Sequence, residues 1–286
     1  MSNIHKICVV GSGPVSLFIG WSLMHNTNNI VEIVSDRLLF SSNKYQLYID
    51  NTYLASSFTP IVLPSSSLSK PHHDLYILCC TPPRSLEIAD SLQLQYPDLQ
   101  VLIVSSYSAA IFESLSDHPS RRFYAWPLVS VEFDDLCITS TNFLHLSLYQ
   151  QNLNSNIINL LSNTCIAPNS FSFTSNPKIF QARSLLTFAL YSFMLDIESF
   201  SSLEDCSSIT KDCTSIVLSI ASKSDLSVDD FPGFSSSESL SSQLNNLFSQ
   251  LIQSCLASPA SKHNLNYLLS NKDKLIRYIS AFEHDT

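Results

Sequence analysis

The chain uses only four glycines in 286 residues, and three of them, Gly11, Gly13 and Gly20, fall within the first twenty. Two are spaced as Gly11-Ser-Gly13, directly after the apolar run Ile7-Cys-Val-Val10 and directly before a helical pattern from Pro14 to Met24. A short continuous apolar run that ends in glycine reads as a buried strand, so the segment predicts strand, tight turn and helix. Glycine serves where a Cβ would forbid the backbone conformation or a close approach. A chain that avoids glycine elsewhere has placed it at this turn.

The same alternation continues through the first half. Ile30-Val-Glu-Ile-Val34 predicts a second strand, ending at Ser35-Asp36-Arg37, and Tyr45–Tyr53 and Phe58–Leu63 predict further strands. Leu75-Tyr-Ile-Leu-Cys-Cys80 reads as a buried strand. Pro82-Pro83 then opens a helix, Arg84–Gln95, in the first-turn position that proline tolerates. Val101–Val104 predicts another buried strand, Ala109–Leu115 a short helix, and Phe123–Phe133 a strand and loop at the end of the sheet.

Strands alternating with helices predict an α/β fold with a doubly wound parallel sheet, a Rossmann-type domain over residues 1–142. Its connections are right-handed, so a ligand belongs at the carboxyl ends of the strands, where the glycines lie. Residues 143–286 predict a mainly α-helical domain for substrate binding and dimerisation. After a last strand at Leu144–Tyr149, helical patterns cover Leu153–Leu161, Lys178–Phe200, Ile209–Ser222, Ser236–Leu256 and His263–Phe282.

Composition narrows the function. A net charge of −9, with no basic stripe interleaved with aromatics, argues against nucleic-acid binding. The eight cysteines form no CxxC, so buried reduced thiols are expected rather than a disulfide framework or a metal site. Met1–Lys6 leads straight into a strand, and the longest apolar stretch, Leu185–Leu195, is too short to span a bilayer. A cytoplasmic protein with no membrane partner is expected. Charged residues are only 14%, and a surface so poor in charge suggests cover by a second copy, a homodimer.

Gly11-Ser12-Gly13-Pro14-Val15-Ser16 fits the turn that binds dinucleotide pyrophosphates. The first glycine makes the turn, the second removes a Cβ that would strike the pyrophosphate, and a small third residue, here Ser16, lets helix and strand approach. Backbone amides at the helix N-terminus bind the phosphates. A nicotinamide dinucleotide is the expected cofactor. Asp36 would accept hydrogen bonds from a ribose 2′-OH and favour NAD. Arg37, with Ser41, Ser42 and Lys44, suits a 2′-phosphate and tips the reading to NADP(H). Cys80 and Thr81, at the end of the predicted strand Leu75–Cys80, join the cofactor candidates. His72-His73 precede a strand at the sheet's amino end and read as a loop pair.

Ile7–Ser16 also resembles the opening of the opine-metallophore (staphylopine-type) dehydrogenases, which begin with a strand and a GxGPV turn. The similarity continues at Leu75–Thr81 and Val101–Ser106. The resemblance implies NADPH-dependent reductive condensation of an amino-acid-derived amine with a 2-oxo acid, as in metallophore biosynthesis. That family carries a histidine before an Arg-Asn pair. Here Lys178-Ile-Phe-Gln-Ala-Arg183-Ser keeps the arginine without the histidine, and the chain is shorter.

Ketopantoate reductases are a second resemblance, closer in length and domain order. They use a lysine at the start of the first helix of the C-terminal domain, near where Lys178 stands. Leu185-Leu-Thr-Phe-Ala189 replaces their asparagine-rich signature. Lys178 as proton donor and Arg183 as holder of an oxo-acid carboxylate are the catalytic candidates. A Rossmann protein that binds a nucleotide without chemistry is the remaining alternative.

Overall fold

The computed structural model describes residues 6–25, 29–37, 46–49, 52–53, 59–105, 121–128, 131–134, 137–140, 145–149, 158–159, 161, 171–186, 203–231 and 234–256. The chain divides into two compact units, Met1–Pro177 and Lys178–Thr286.

Strands of the first unit are β1 (Lys6–Val10), β2 (Ile30–Val34), β3 (Gln46–Ile49), β4 (Thr52–Tyr53), β5 (Ile61–Leu63), β6 (Leu75–Leu78), β7 (Gln100–Val104), β8 (Arg122–Leu128), β9 (Val131–Asp134), β10 (Cys137–Ser140), β11 (His145–Tyr149) and β12 (Phe171–Thr174). Eight of them form one sheet in the order β12-β11-β8-β7-β6-β1-β2-β5. From β5 to β8 every pairing is parallel; β11 then runs antiparallel to β8 and parallel to β12. The chain leaves β1 toward β2 and β5, then returns to the other side of β1 as β6. That reversal of direction beside β1 is where open α/β sheets bind ligands.

Both faces of the central strands are covered, which is why Ile7–Val10, Leu75–Leu78 and Val101–Val104 are continuous apolar runs, all buried. Helix α1 (Pro14–His25) is apolar on almost every side, with Leu17, Phe18, Ile19, Trp21 and Leu23 all buried. The sheet alone cannot bury a helix all round. α1 lies against β1 and β2 and also against β9. β9 belongs to a second, four-stranded sheet of order β4-β3-β10-β9.

This second sheet corrects two sequence expectations. Tyr45–Tyr53 yields β3 and β4, but they pair with β10 and each other rather than extending the main sheet. Phe123–Phe133 is not the sheet's end, because β8 continues to β11 and β12 while β9 joins the smaller sheet. The main sheet therefore runs past residue 142, where the sequence pattern changes.

The described α-helices of the second unit are residues 178–186, in a run that starts at 177, α3 (Leu203–Lys223) and α4 (Leu240–Leu256). Its core includes Phe180, Leu185, Leu186, Val217, Phe231, Leu244 and Phe248. α3 ends with Leu226 N–H donating to the Ala221 carbonyl (2.8 Å) and Asp225 left-handed at φ 54°. This is the closing turn for which glycine is usual. The predicted helices at Ala109–Leu115 and His263–Phe282 lie outside the described residues.

Helix α2 (Pro82–Gln95) is tied to the sheet by the buried Arg122. Its Nε donates to Gln93 Oε1 and an NH2 group to Asp90 Oδ1, both at 2.7 Å. Asp90 is largely exposed, so the ion pair is discounted and the Gln93 bond, which would be left buried and unmet, dominates. Arg122→Ala is expected to lower stability by about 1.5–3 kcal/mol in urea unfolding.

Candidate functional site

At the end of β1 the chain turns through Gly11, which is left-handed at φ +146°. Its N–H donates to the Val34 carbonyl at the end of β2 (3.1 Å). A Cβ built on Gly11 would lie 3.1 Å from the Cys79 carbonyl oxygen and 3.3 Å from the Ser16 Cβ. Glycine is therefore required here twice, by conformation and by space. Ser16 is fully buried at the contact, and its hydroxyl turns back to donate to the Gly13 carbonyl (2.6 Å). A small residue in third place is what this approach needs, and serine meets it.

Gly13 differs. Its carbonyl accepts the N–H groups of Ser16 and Leu17, at 3.1 and 3.3 Å, so it heads α1. Yet a Cβ built there meets no atom of the described residues within 4 Å, and its backbone is not left-handed. Among the described residues nothing asks for glycine at 13. The bare backbone faces open space at a helix N-terminus, where first-turn N–H groups lack helical partners and the dipole favours an anion. A phosphate fits that cradle. Pro14, at the first helical position, removes one donor; Val15 follows it.

The end of β6 adjoins this turn. Cys79 N–H donates to the Val10 carbonyl at 2.8 Å, and the Cys80 thiol contacts the same oxygen at 3.6 Å. Burial pushes both thiols above their ordinary range, so neither is a ready thiolate nucleophile. Thr81 is exposed and precedes α2, whose first two positions are prolines. That helix start offers fewer backbone donors than α1, so the anion cradle belongs to α1.

At the end of β2, Asp36 accepts the Ser65 N–H at 2.9 Å. The hydroxyl of Ser65, and then its N–H, hold the Asp36 carboxyl below the usual carboxylate range. Asp36 thus braces the 3-10 turn Ser65–Ser69, while Arg37 beside it is exposed. Lys44, Ser41 and Ser42 lie outside the described residues. The structure therefore gathers Gly11–Ser16, Asp36–Arg37 and Cys80–Thr81 at the carboxyl ends of three adjacent strands. It adds Ser105, buried at the end of β7 with its N–H donating to the Ala125 carbonyl (3.1 Å). Sequence reasoning passed over it; its signal is a polar residue closing an apolar strand.

Lys178 and Arg183 lie in the second unit, five residues apart on one helical run and so about 140° apart around its axis. The Lys178 ammonium donates to the Asp225 carbonyl (3.1 Å) and sits 3.9 Å from the Asp230 carboxylate. Its side chain is 47% exposed and thus not withdrawn from water. Arg183 is buried. Among the described residues no helix is long and apolar enough to cross a membrane.

No family model matches the chain, and no curated protein matches it by sequence. Its fold is nevertheless that of solved reductases, matched nearly end to end. A 2-dehydropantoate 2-reductase from Geobacter metallireducens superposes with a TM-score of 0.63 at 11% identity, covering 98% of this chain and 100% of that one. One from Porphyromonas gingivalis gives 0.59 at 12% identity, covering 96% and 100%. A D-mandelate dehydrogenase in ternary complex with NADH and anilino(oxo)acetate gives 0.58 at 11% identity, covering 98% and 97%.

These similarities overturn the opine-metallophore resemblance, and with it amine condensation and metallophore biosynthesis. The glycine turn carried that resemblance, but such a turn reports a phosphate cradle, which many reactions share. The superpositions span the whole of both solved 2-dehydropantoate 2-reductase chains.

The two glycines should separate on substitution. Gly11→Ala is expected to cost about 1–3 kcal/mol for its left-handed backbone, and more if Cys79 cannot yield. Gly13→Val should stay within roughly 0.5 kcal/mol of wild type, as at an unconstrained surface position. Urea unfolding of both variants decides, and equal large losses would refute the open cradle.

Proposed function

We propose that the protein is an NAD(P)H-dependent reductase that converts a 2-oxo acid to a 2-hydroxy acid. The observation that carries this reading is Gly13, bare at the start of α1 where no described residue requires a glycine. Support comes from the fold shared with 2-dehydropantoate 2-reductases and with a D-mandelate dehydrogenase that holds NADH and an oxo acid.

The Gly11–Ser16 turn holds the pyrophosphate, with Cys80 and Thr81 alongside. Arg37, exposed beside an Asp36 already engaged by Ser65, favours the 2′-phosphate of NADPH, and Lys44 is assigned to the same phosphate. When bound, the reduced nicotinamide supplies the hydride. Lys178 delivers the proton that completes the hydroxyl, and Arg183 pairs with the substrate carboxylate. The active form is a cytoplasmic homodimer, whose second copy covers part of the charge-poor surface.

Fluorescence titration with NADPH and NADH tests the cofactor. Wild type should bind and Gly13→Val should not, although it stays folded. Arg37→Ala should weaken NADPH binding by roughly ten- to a hundredfold, the value of a charge-assisted hydrogen bond of about 1.5–3 kcal/mol, and leave NADH nearly unchanged. Equal affinity of wild type and Gly13→Val would sink the assignment.

Turnover is tested by following NADPH absorbance with a panel of 2-oxo acids. Lys178→Ala should lower kcat, and Arg183→Ala should raise KM. If both turn over like wild type, the catalytic groups lie elsewhere. If wild type binds NADPH but oxidises it with no 2-oxo acid, the protein is a nucleotide binder without this chemistry.

A further inference from the structure

At the amino edge of the sheet, opposite the glycine turn, three side chains converge that the reductase reading does not use. His73 precedes β6 with its side chain only 2% exposed, and its Nε2 lies 2.6 Å from Glu32 Oε2. His72 is 47% exposed and brings its own Nε2 to 3.5 Å from the same oxygen. The two imidazole rings are 4.2 Å apart. All three donor atoms lie within 4.8 Å of one another.

The sheet register accounts for the carboxylate's position. Glu32 on β2, Cys8 on β1 and Tyr76 on β6 form one lateral row across adjacent parallel strands. The Tyr76 hydroxyl in turn meets His73 Nδ1 (2.9 Å) and the His72 backbone N–H (3.1 Å).

We propose that Glu32, His72 and His73 form a binding site for a divalent transition-metal ion of the zinc type. Two imidazoles and a carboxylate are a zinc donor set, with a water completing four ligands. Bonds of about 2.0–2.2 Å in a tetrahedron put the donors roughly 3.3–3.6 Å apart. The His72–Glu32 distance of 3.5 Å already has that value, and it is long for a hydrogen bond. The His73–Glu32 contact has only to open by under about 1 Å to match it.

The outer contacts agree. His72 Nδ1 lies 3.2 Å from the Lys70 carbonyl, which can only accept, so in the neutral ring the lone pair is on Nε2, toward Glu32. The Tyr76 hydroxyl can accept from His73 Nδ1 and so free that ring's Nε2. Metal-bound histidines are oriented by outer partners of this kind. Lys6 approaches the other carboxylate oxygen, Oε1, at 3.8 Å and leaves Oε2 to the ion.

An ion pair between Glu32 and His73 alone would give His72 Nε2 no part, whereas a metal uses all three. The ion would fasten the Lys70–Asp74 segment to β2. Its effect is on stability, since binding to the folded state alone raises the melting temperature.

The test uses the full-length chain, stripped with a chelator and dialysed. Zn²⁺ is titrated by calorimetry, Co²⁺ by its visible absorption, and Tm is measured with and without Zn²⁺. One equivalent of Zn²⁺ should bind and raise Tm. Tyr76→Phe should weaken binding by roughly 10–100-fold, the usual cost of losing an outer partner. His72→Ala, at the surface and checked for fold by circular dichroism, should weaken it at least as much. Glu32→Gln should do the same, but His72→Ala decides if that variant fails to fold. Absence of saturable Zn²⁺ binding overturns the proposal. So does binding of unchanged affinity in His72→Ala, which would place the ion at other histidines.

Discussion

The architecture of the candidate site depends on one close approach, that of Gly11 to Cys79. The ends of three strands meet there: Gly11 N–H is bonded to Val34 on β2, and Cys79 N–H to Val10 on β1. A Cβ on Gly11 would press on the Cys79 carbonyl and on Ser16, the residue that seats α1 on the sheet. Spreading these ends would break the edge hydrogen bonds and unseat the helix together. The strand ends are thus tied together at the point where α1 presents its N-terminus.

The central strands were legible because each is buried on both faces, which leaves a continuous apolar run with little ambiguity. The second sheet was not. Alternation marks a strand but does not name its partner, and β3 pairs with β10, a segment some ninety residues further on. One signal did point there. α1 is apolar all round, from Leu17 and Phe18 through Trp21 to Leu23, and a helix lying on a single sheet needs only one apolar face. A second covering layer was implied, though not its identity.

The site was partly legible for similar reasons. The glycine turn is local, so spacing exposes it. The roles of Asp36 and Arg37 are not local: both follow β2, and only the bond from Ser65 shows that the first is engaged within the protein. The pair His72-His73 looks like a polar loop in sequence. Its link to Glu32 spans forty residues and arises from parallel register, which sets Glu32 and Tyr76 in one row. The opine resemblance misled because its specific motif described a cradle and not a reaction.

The chain's scarcity of glycine gives Gly13 its weight. At the end of α3 a left-handed closing residue is needed, and there the chain uses Asp225, which tolerates that conformation less easily than glycine would. A glycine at that position would be ordinary, and the sequence does without it. Gly11 is explained by contact and conformation alone. Among the described residues Gly13 has neither cause: its φ is not positive and no atom lies within 4 Å of a Cβ built there. A missing side chain that the described residues do not require suits something that must come closer to the backbone than a Cβ allows. A phosphate seated on the first amides of α1 is such a thing.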